Sequence, residues 1–203
     1  MKERPILMSG PMVKAILENR KWQTRRVVKP QPIEVPITNG SAPGCYLAWP
    51  NSDAHLEWQD VLADTDYYVQ AGFCPHGKPG DRLWVRETWN CIDSGIRTQR
   101  QDWVRYRATD GEEMHWRPSI FMPRWACRLV LNLEAVRVER LQDISPSDCR
   151  AEGIRPDSEL SLLWRDDVRA KYHDLWNELN AKRGHGWDSN PWVWVLTFEQ
   201  VTP

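Results

Sequence analysis

No Cys-x-x-Cys pair occurs in this chain, and its five cysteines are scattered at Cys45, Cys74, Cys91, Cys127 and Cys149. An odd, dispersed set supports neither a disulfide framework nor a zinc ribbon, and it fits a reducing cytoplasm. Cys74 and His76 lie close together, but no third or fourth ligand accompanies them, so no metal site is expected. No apolar run approaches the ~20 residues that cross a bilayer, and the first residues do not read as a secretory signal. A membrane partner is therefore not expected. Gly-x-Gly-x-x-Gly, Walker and Gly-x-Ser-x-Gly patterns are also missing, and nothing points to a bound cofactor. Net charge is small: 27 basic residues against 28 acidic ones leave −1. That balance excludes a general DNA-coating protein but not a local nucleic-acid site.

Phenylalanine is scarce, at three, but thirteen tryptophans supply the bulk for a core, and so much aromatic content excludes disorder. A length of 203 residues fits one elaborated domain, residues 1 to 203. Residues 30 to 77 depart from the rest: they hold six prolines and no Lys or Arg, but six acids, from Glu34 to Asp66. They read as a loop-rich acidic insertion, with one short helix near residues 54 to 63. Elsewhere the pattern predicts a strand at Pro5 to Met8, a helix from Ser9-Gly10-Pro11 to about Arg20, and an extended segment from Thr24 to Lys29. Strands follow from Arg82 to Trp89, from Trp103 to Ala108 and from Trp125 to Val138, the last with a phase change that marks a bend or bulge. Ser145-Pro146-Ser147-Asp148 starts a short helix that stops at Gly153. Residues 159 to 180 form the longest helix, and Trp192 to Glu199 is apolar on both faces, as a fully covered strand is. Few helices and many short, successive strands indicate an α+β domain around a small β-barrel flanked by helices.

Charge is concentrated where chemistry is possible. Residues 14 to 29 carry six Lys or Arg against Glu18 alone. Within them, Lys21-x-x-Thr24-x-Arg26 places an amine, a hydroxyl and a guanidinium at a helix-to-strand junction. A neutral Lys21 can act as a general base for Thr24 or for water, once its pKa falls by roughly three units from about 10.4. Burial and the neighbouring Arg25 and Arg26 push it that way. Arg20 and Lys21 equally suit the negative end of a helix, which is the simpler role. Glu152, before Gly153, can orient Lys21 or accept a proton, and a solvated glutamate is the plain alternative. Basic and aromatic residues interleave from Arg82 to Arg128, with Arg82, Trp84 and Arg86 on one strand face. Such a face stacks on unpaired bases and binds phosphate, or it is a tryptophan core with solvated arginines around it.

Asn19-Arg20-Lys21-Trp22-Gln23-Thr24-Arg25-Arg26 resembles the G-x-K-x-x-T-x-R signature of ASCH domains, which have a PUA-like barrel fold. Asn19 replaces the usual glycine, and asparagine also tolerates left-handed backbone. Pro79 to Val85 looks like the family's turn and barrel strand, Ile144 to Ile154 like its helix with a functional glutamate at Glu152, and Trp192 to Glu199 like its closing strand. The likeness covers residues 5 to 29 and 78 to 201, omits the insertion, and looks closest to ASCH proteins of phages and prophages. It implies binding of RNA or a modified nucleoside. One branch hydrolyses the amide of N4-acetylcytidine with a lysine, a threonine and a glutamate, which map to Lys21, Thr24 and Glu152. Arg26, Arg86 and Trp89 are then expected to line the substrate cleft. The alternatives are an RNA-binding module without catalysis, a ribonuclease acting on single strands, or an interaction factor that works through its acidic stretch.

Overall fold

Alternating and uniform apolar segments set the sheet. The computed structural model describes residues 1–36, 45–48, 74–91, 103–111, 115–158 and 163–201, with the backbone alone at 34–36 and 45–48. Its strands are β1 (Glu3–Leu7), β2 (Gln23–Val27), β3 (Ile33–Pro36), β4 (Cys45–Ala48), β5 (Arg82–Arg86), β6 (Trp89–Cys91), β7 (Val104–Tyr106), β8 (Val130–Arg140) and β9 (Trp192–Val201). Its helices are α1 (Gly10–Leu17), α2 (Arg107–Asp110), α3 (Pro146–Ala151) and α4 (Trp164–Asn180). Five strands form the main sheet in the order β1-β5-β8-β9-β2. β1 runs parallel to β5, and the other pairs are antiparallel.

The mixed α+β class matches the expectation, but the closed barrel does not form: among the described residues the sheet is open, with β1 and β2 as its two edges. The connection between these edges explains the opening. Val13 and Ile16 of α1 pack in one cluster with Ile6 and Met8 near β1, Val28 after β2, and Trp194 and Leu196 of β9. The helix thus fills the seam where a ladder would close the barrel. One side chain spans the same seam: Arg26 Nη2 donates to the Leu7 carbonyl at 2.6 Å.

β9 is buried on both faces, as its composition predicts. Trp194, Leu196 and Phe198 enter the α1 cluster, while Val193 and Val195 pack with Cys149, Val168, Tyr172 and Trp176 from α3 and α4. The phase change in β8 is a bulge: Leu133 pairs with Phe198, but Ala135 pairs with Thr197. One extra residue lets Leu131 and Leu133 before it, and Val136 and Val138 after it, all enter the same core. The bulge therefore turns Arg137 and Glu139 to the opposite face.

Other expectations shift at element ends. The segment from Arg82 divides into β5 and β6, and the one from Trp103 gives β7 and then the helical turn α2. The residues around Trp125 form a 3₁₀ turn, Arg124–Ala126, and β8 starts after it. Ser9 precedes α1 but makes no side-chain cap, whereas Ser145 accepts from the Asp148 amide at 3.1 Å and caps α3. Within the acidic stretch β3 and β4 pair as an antiparallel ladder, so this part is not loop. The helix expected at residues 54 to 63 lies outside the described residues. No described helix is long and apolar enough to cross a membrane.

Candidate active site

α1 stops at Leu17, and Asn19 takes a left-handed φ of 53°, as its place in the signature anticipates. The turn sends the Arg20 and Lys21 amides back to the Ala15 carbonyl, at 2.8 and 3.1 Å. Lys21 then forms an isolated antiparallel bridge with Glu152, and the Trp22 amide bonds the Ala151 carbonyl at 3.0 Å. The start of β2 is thereby stitched to the end of α3, across some 130 residues of chain.

The side chains complete that junction. Lys21 is 3% exposed, and its Nζ donates to Glu152 Oε2 at 2.5 Å, to the Glu152 carbonyl at 3.0 Å and to the Gln23 carbonyl at 2.8 Å. An ammonium has three N–H groups, and here each has an acceptor. Burial pushes the Lys21 pKa below the usual ammonium range, while the Glu152 carboxylate acts in the other direction. Gly153 follows with φ 93°, and a Cβ there would sit 3.0 Å from Ala15 Cβ and 3.3 Å from Lys21 Cβ. A glycine leaves room for the lysine stem.

Glu152 has a second cationic partner. Its Oε1 lies 3.3 Å from Arg25 Nη1. Arg25, its side chain fully buried, also meets Glu139 at 2.6 Å, Asp148 at 3.3 Å and Gln23 Oε1 at 2.7 Å. Sequence reasoning treated Arg25 only as a neighbouring charge. Strand alternation was the signal that could have found it: Lys21, Gln23 and Arg25 share parity, and Thr24 and Arg26 face the other way. The guanidinium joined to the Lys21–Glu152 pair is thus Arg25, not Arg26.

Thr24 is buried and lines a small cleft with Met12, Arg26, Glu152, Tyr172 and Leu179, among others. Its volume is about 30 Å³, room for a water but far below the ~300 Å³ of a small-ligand pocket. Burial, and then the Glu152 charge, raise the Tyr172 phenol well above its usual range, so it stays protonated. Thr24, Arg26 and Glu152 thus line one cleft beside α4, whereas Lys21 is not in its lining and connects to it through Glu152.

Arg86 and Trp89 are not among the residues lining this cleft. Trp89 is buried in a separate cluster with Tyr106 and Met122, edge-on to Trp125 at 6.0 Å, and Arg117 lies over its ring. Arg86 lies 5.4 Å from the Trp84 ring centroid. Their alternation with tryptophan builds a core and its rim here. Among the described residues no group of three His, Cys, Asp or Glu side chains is placed to hold a metal.

No protein-family model matches this sequence. No curated protein matches it either. A solved structure does resemble the chain. It is the ASCH domain from Lactobacillus crispatus, similar over 100% of this chain and 81% of that one, with a TM-score of 0.44 and 9% identity.

Proposed function

We propose that this chain is an ASCH-type domain that binds RNA or a modified nucleoside, and that Lys21, Thr24 and Glu152 hydrolyse an exocyclic amide of the N4-acetylcytidine kind. The observation that carries this reading is the buried contact of Lys21 with Glu152, a residue that lines the same cleft as Thr24. Burial lowers the Lys21 pKa, against the opposing pull of the Glu152 carboxylate, and a Lys21 that has shed its proton has a lone pair. Lys21 then takes a proton from Thr24 or from a water beside it, and the freed oxygen attacks the acyl carbon. The C–N bond breaks, and the leaving amine of the base collects that proton from Lys21. Where water attacked, the acid leaves directly; where Thr24 attacked, a water hydrolyses the acyl ester, its hydroxyl leaves with the acyl group and its proton restores the Thr24 hydroxyl. Arg26, which lines the cleft, or a backbone N–H then steadies the oxyanion. A nucleobase exceeds the present cleft, so its entry requires the end of α4, at Leu179 and Asn180, to move outward.

The test is incubation with N4-acetylcytidine and chromatography of the products. Cytidine should appear, and Lys21→Ala and Thr24→Ala should each slow its release by about 10²–10⁴-fold, the usual size of an acid–base contribution. Absence of turnover, or turnover indifferent to both substitutions, overturns the catalytic part.

One observation favours a second reading. All three Lys21 N–H groups already have acceptors, the arrangement of a cation held for structure. A binding module without catalysis then remains. It predicts RNA affinity that falls with salt and with Arg26→Ala, and no product.

A further inference from the structure

β1 and β2 turn two arginines toward the seam that α1 fills. Arg4 shares a face of β1 with Ile6, and Arg26 shares a face of β2 with Thr24, opposite Trp194 of β9. Arg26 Nη2, which reaches the Leu7 carbonyl, also lies 3.4 Å from Met8 Sδ. Arg4 Nη1 donates to the Pro75 carbonyl at 3.4 Å, and its buried Nε has no hydrogen-bond partner. His76 follows Pro75 and feels both guanidiniums: after burial, Arg26 and then Arg4 lower its pKa to about 4. At neutral pH it is an uncharged ring with one N–H to give. Arg4, Arg26 and His76 are all half-buried. Arg26 also lines the Thr24 cleft, so this row of donors starts at that cleft. The acids nearby are engaged elsewhere. Asp81 accepts the Lys2 amide at 2.7 Å and the Lys78 amide at 3.4 Å, Glu152 meets Lys21 and Arg25, and Glu3 meets Arg124. Among the described residues Arg4 and Arg26 bond only carbonyls and a thioether. A guanidinium has five N–H groups, so both have donors to spare. An oxyanion between them offsets the penalty of drawing two cations partly out of water, and it supplies the acceptor that Arg4 Nε lacks.

We infer that Arg26, His76 and Arg4 form a phosphate track, which leads from the Thr24 cleft along the seam between β1 and β2 and holds the backbone of a single-stranded RNA. The row of donors comes from the structure. The choice of RNA rests on the RNA-or-nucleoside reading above and deepens it, because a track of this kind makes a strand, and not a free nucleoside, the preferred ligand. A free phosphate ion offers the same oxygens, and the two sources are separable by experiment.

Fluorescence anisotropy of the whole chain with a short, labelled single-stranded RNA carrying one N4-acetylcytidine tests the track. Arg4→Glu should weaken binding by about tenfold or more, the worth of one charge-assisted contact. Arg165→Glu makes the same change of net charge on an exposed residue in the first turn of α4, and screening should hold its effect below about threefold. Arg4→Met and His76→Ala are milder changes. Arg4→Met should lower the slope of log affinity against log salt by about 0.7, one phosphate fewer on a single strand. His76→Ala should weaken binding by about fivefold, the worth of a neutral hydrogen bond. The unlabelled strand should displace the probe at concentrations at least about tenfold below those of free N4-acetylcytidine or inorganic phosphate. Inorganic phosphate that competes as well as the strand, an Arg165→Glu effect as large as that of Arg4→Glu, or a salt slope unchanged in Arg4→Met overturns the track. N4-acetylcytidine turned over while RNA affinity is indifferent to Arg4 and His76 rejects the track alone. RNA held through Arg4 and His76 without turnover of the nucleoside rejects the amidohydrolase step and keeps the track.

Discussion

Lys21 and Arg25 share Glu152 unequally, and the inequality can be measured. Removal of the carboxylate in Glu152→Ala leaves Lys21 buried with carbonyls as its only acceptors, and takes one partner from Arg25. Breaking a buried pair from one side costs about 3–5 kcal/mol, and that loss is expected in urea unfolding. Lys21→Met should cost less, because Glu152 keeps Arg25. Equal losses would show that Arg25 does not support the carboxylate. A second single-residue effect concerns pH. Burial, with Arg26 and Arg4 adding to it, lowers the pKa of His76 from 6.5 to about 4. The unfolded chain then takes up a proton that the folded one refuses. Stability should therefore fall as pH drops from about 6.5 to about 4, by roughly 1–3 kcal/mol, and His76→Gln should flatten that slope. An unchanged slope in the variant would assign it to other groups.

Between elements, two backbone details place the site. Gly153 carries the chain out of α3 with positive φ, against both Ala15 of α1 and the Lys21 stem. Gly153→Ala meets strain and contact together, and about 1–3 kcal/mol of destabilisation is expected by thermal unfolding. The catalytic reading adds that turnover should fall further than the unfolded fraction explains, since Lys21 must shift. The β8 bulge is the other detail. Glu139 meets Arg25 because one extra residue between Leu133 and Ala135 changes which face the strand presents. Deletion of Glu134 should leave regular pairing, with Leu133, Val136 and Val138 still on the core face and Glu139 still against Arg25, so stability should change little in urea unfolding. A deletion variant that loses the Arg25–Glu139 pair and several kcal/mol would argue against this account of the bulge.

For the molecule as a whole, β8 and β9 form the centre, and β1 and β2 are edges with a helix between them. Native-state hydrogen exchange should be slowest at Leu131, Leu133 and Val193 to Leu196, and faster at β1 and β2, where strands pair on one side only. Uniform protection across all five strands would indicate a sheet closed in solution. Much of this plan was legible in advance. The doubly apolar run from Trp192 gave the central strand, the phase change after Leu133 gave the bulge, and Ser145-Pro146 gave the helix start, since each is a local property of period or capping. The open seam was not legible, because a helix can sit beside a barrel or inside its gap with the same amphipathic face.

The sequence by itself determined the junction that presents Lys21, Thr24 and Arg26: a helix stop, a residue able to turn left-handed at Asn19, and a strand of alternating parity. It also marked Glu152 through resemblance, although no periodicity linked it to Lys21. Only the tertiary structure decided that Glu152 meets both Lys21 and Arg25, that Trp89 belongs to a core, and that the cleft at Thr24 has room for a water while a larger cavity lies across α1. The physical reason is range. Capping and alternation act over a few residues, whereas burial, pairing of charges and free volume depend on which distant segments the sheet brings side by side.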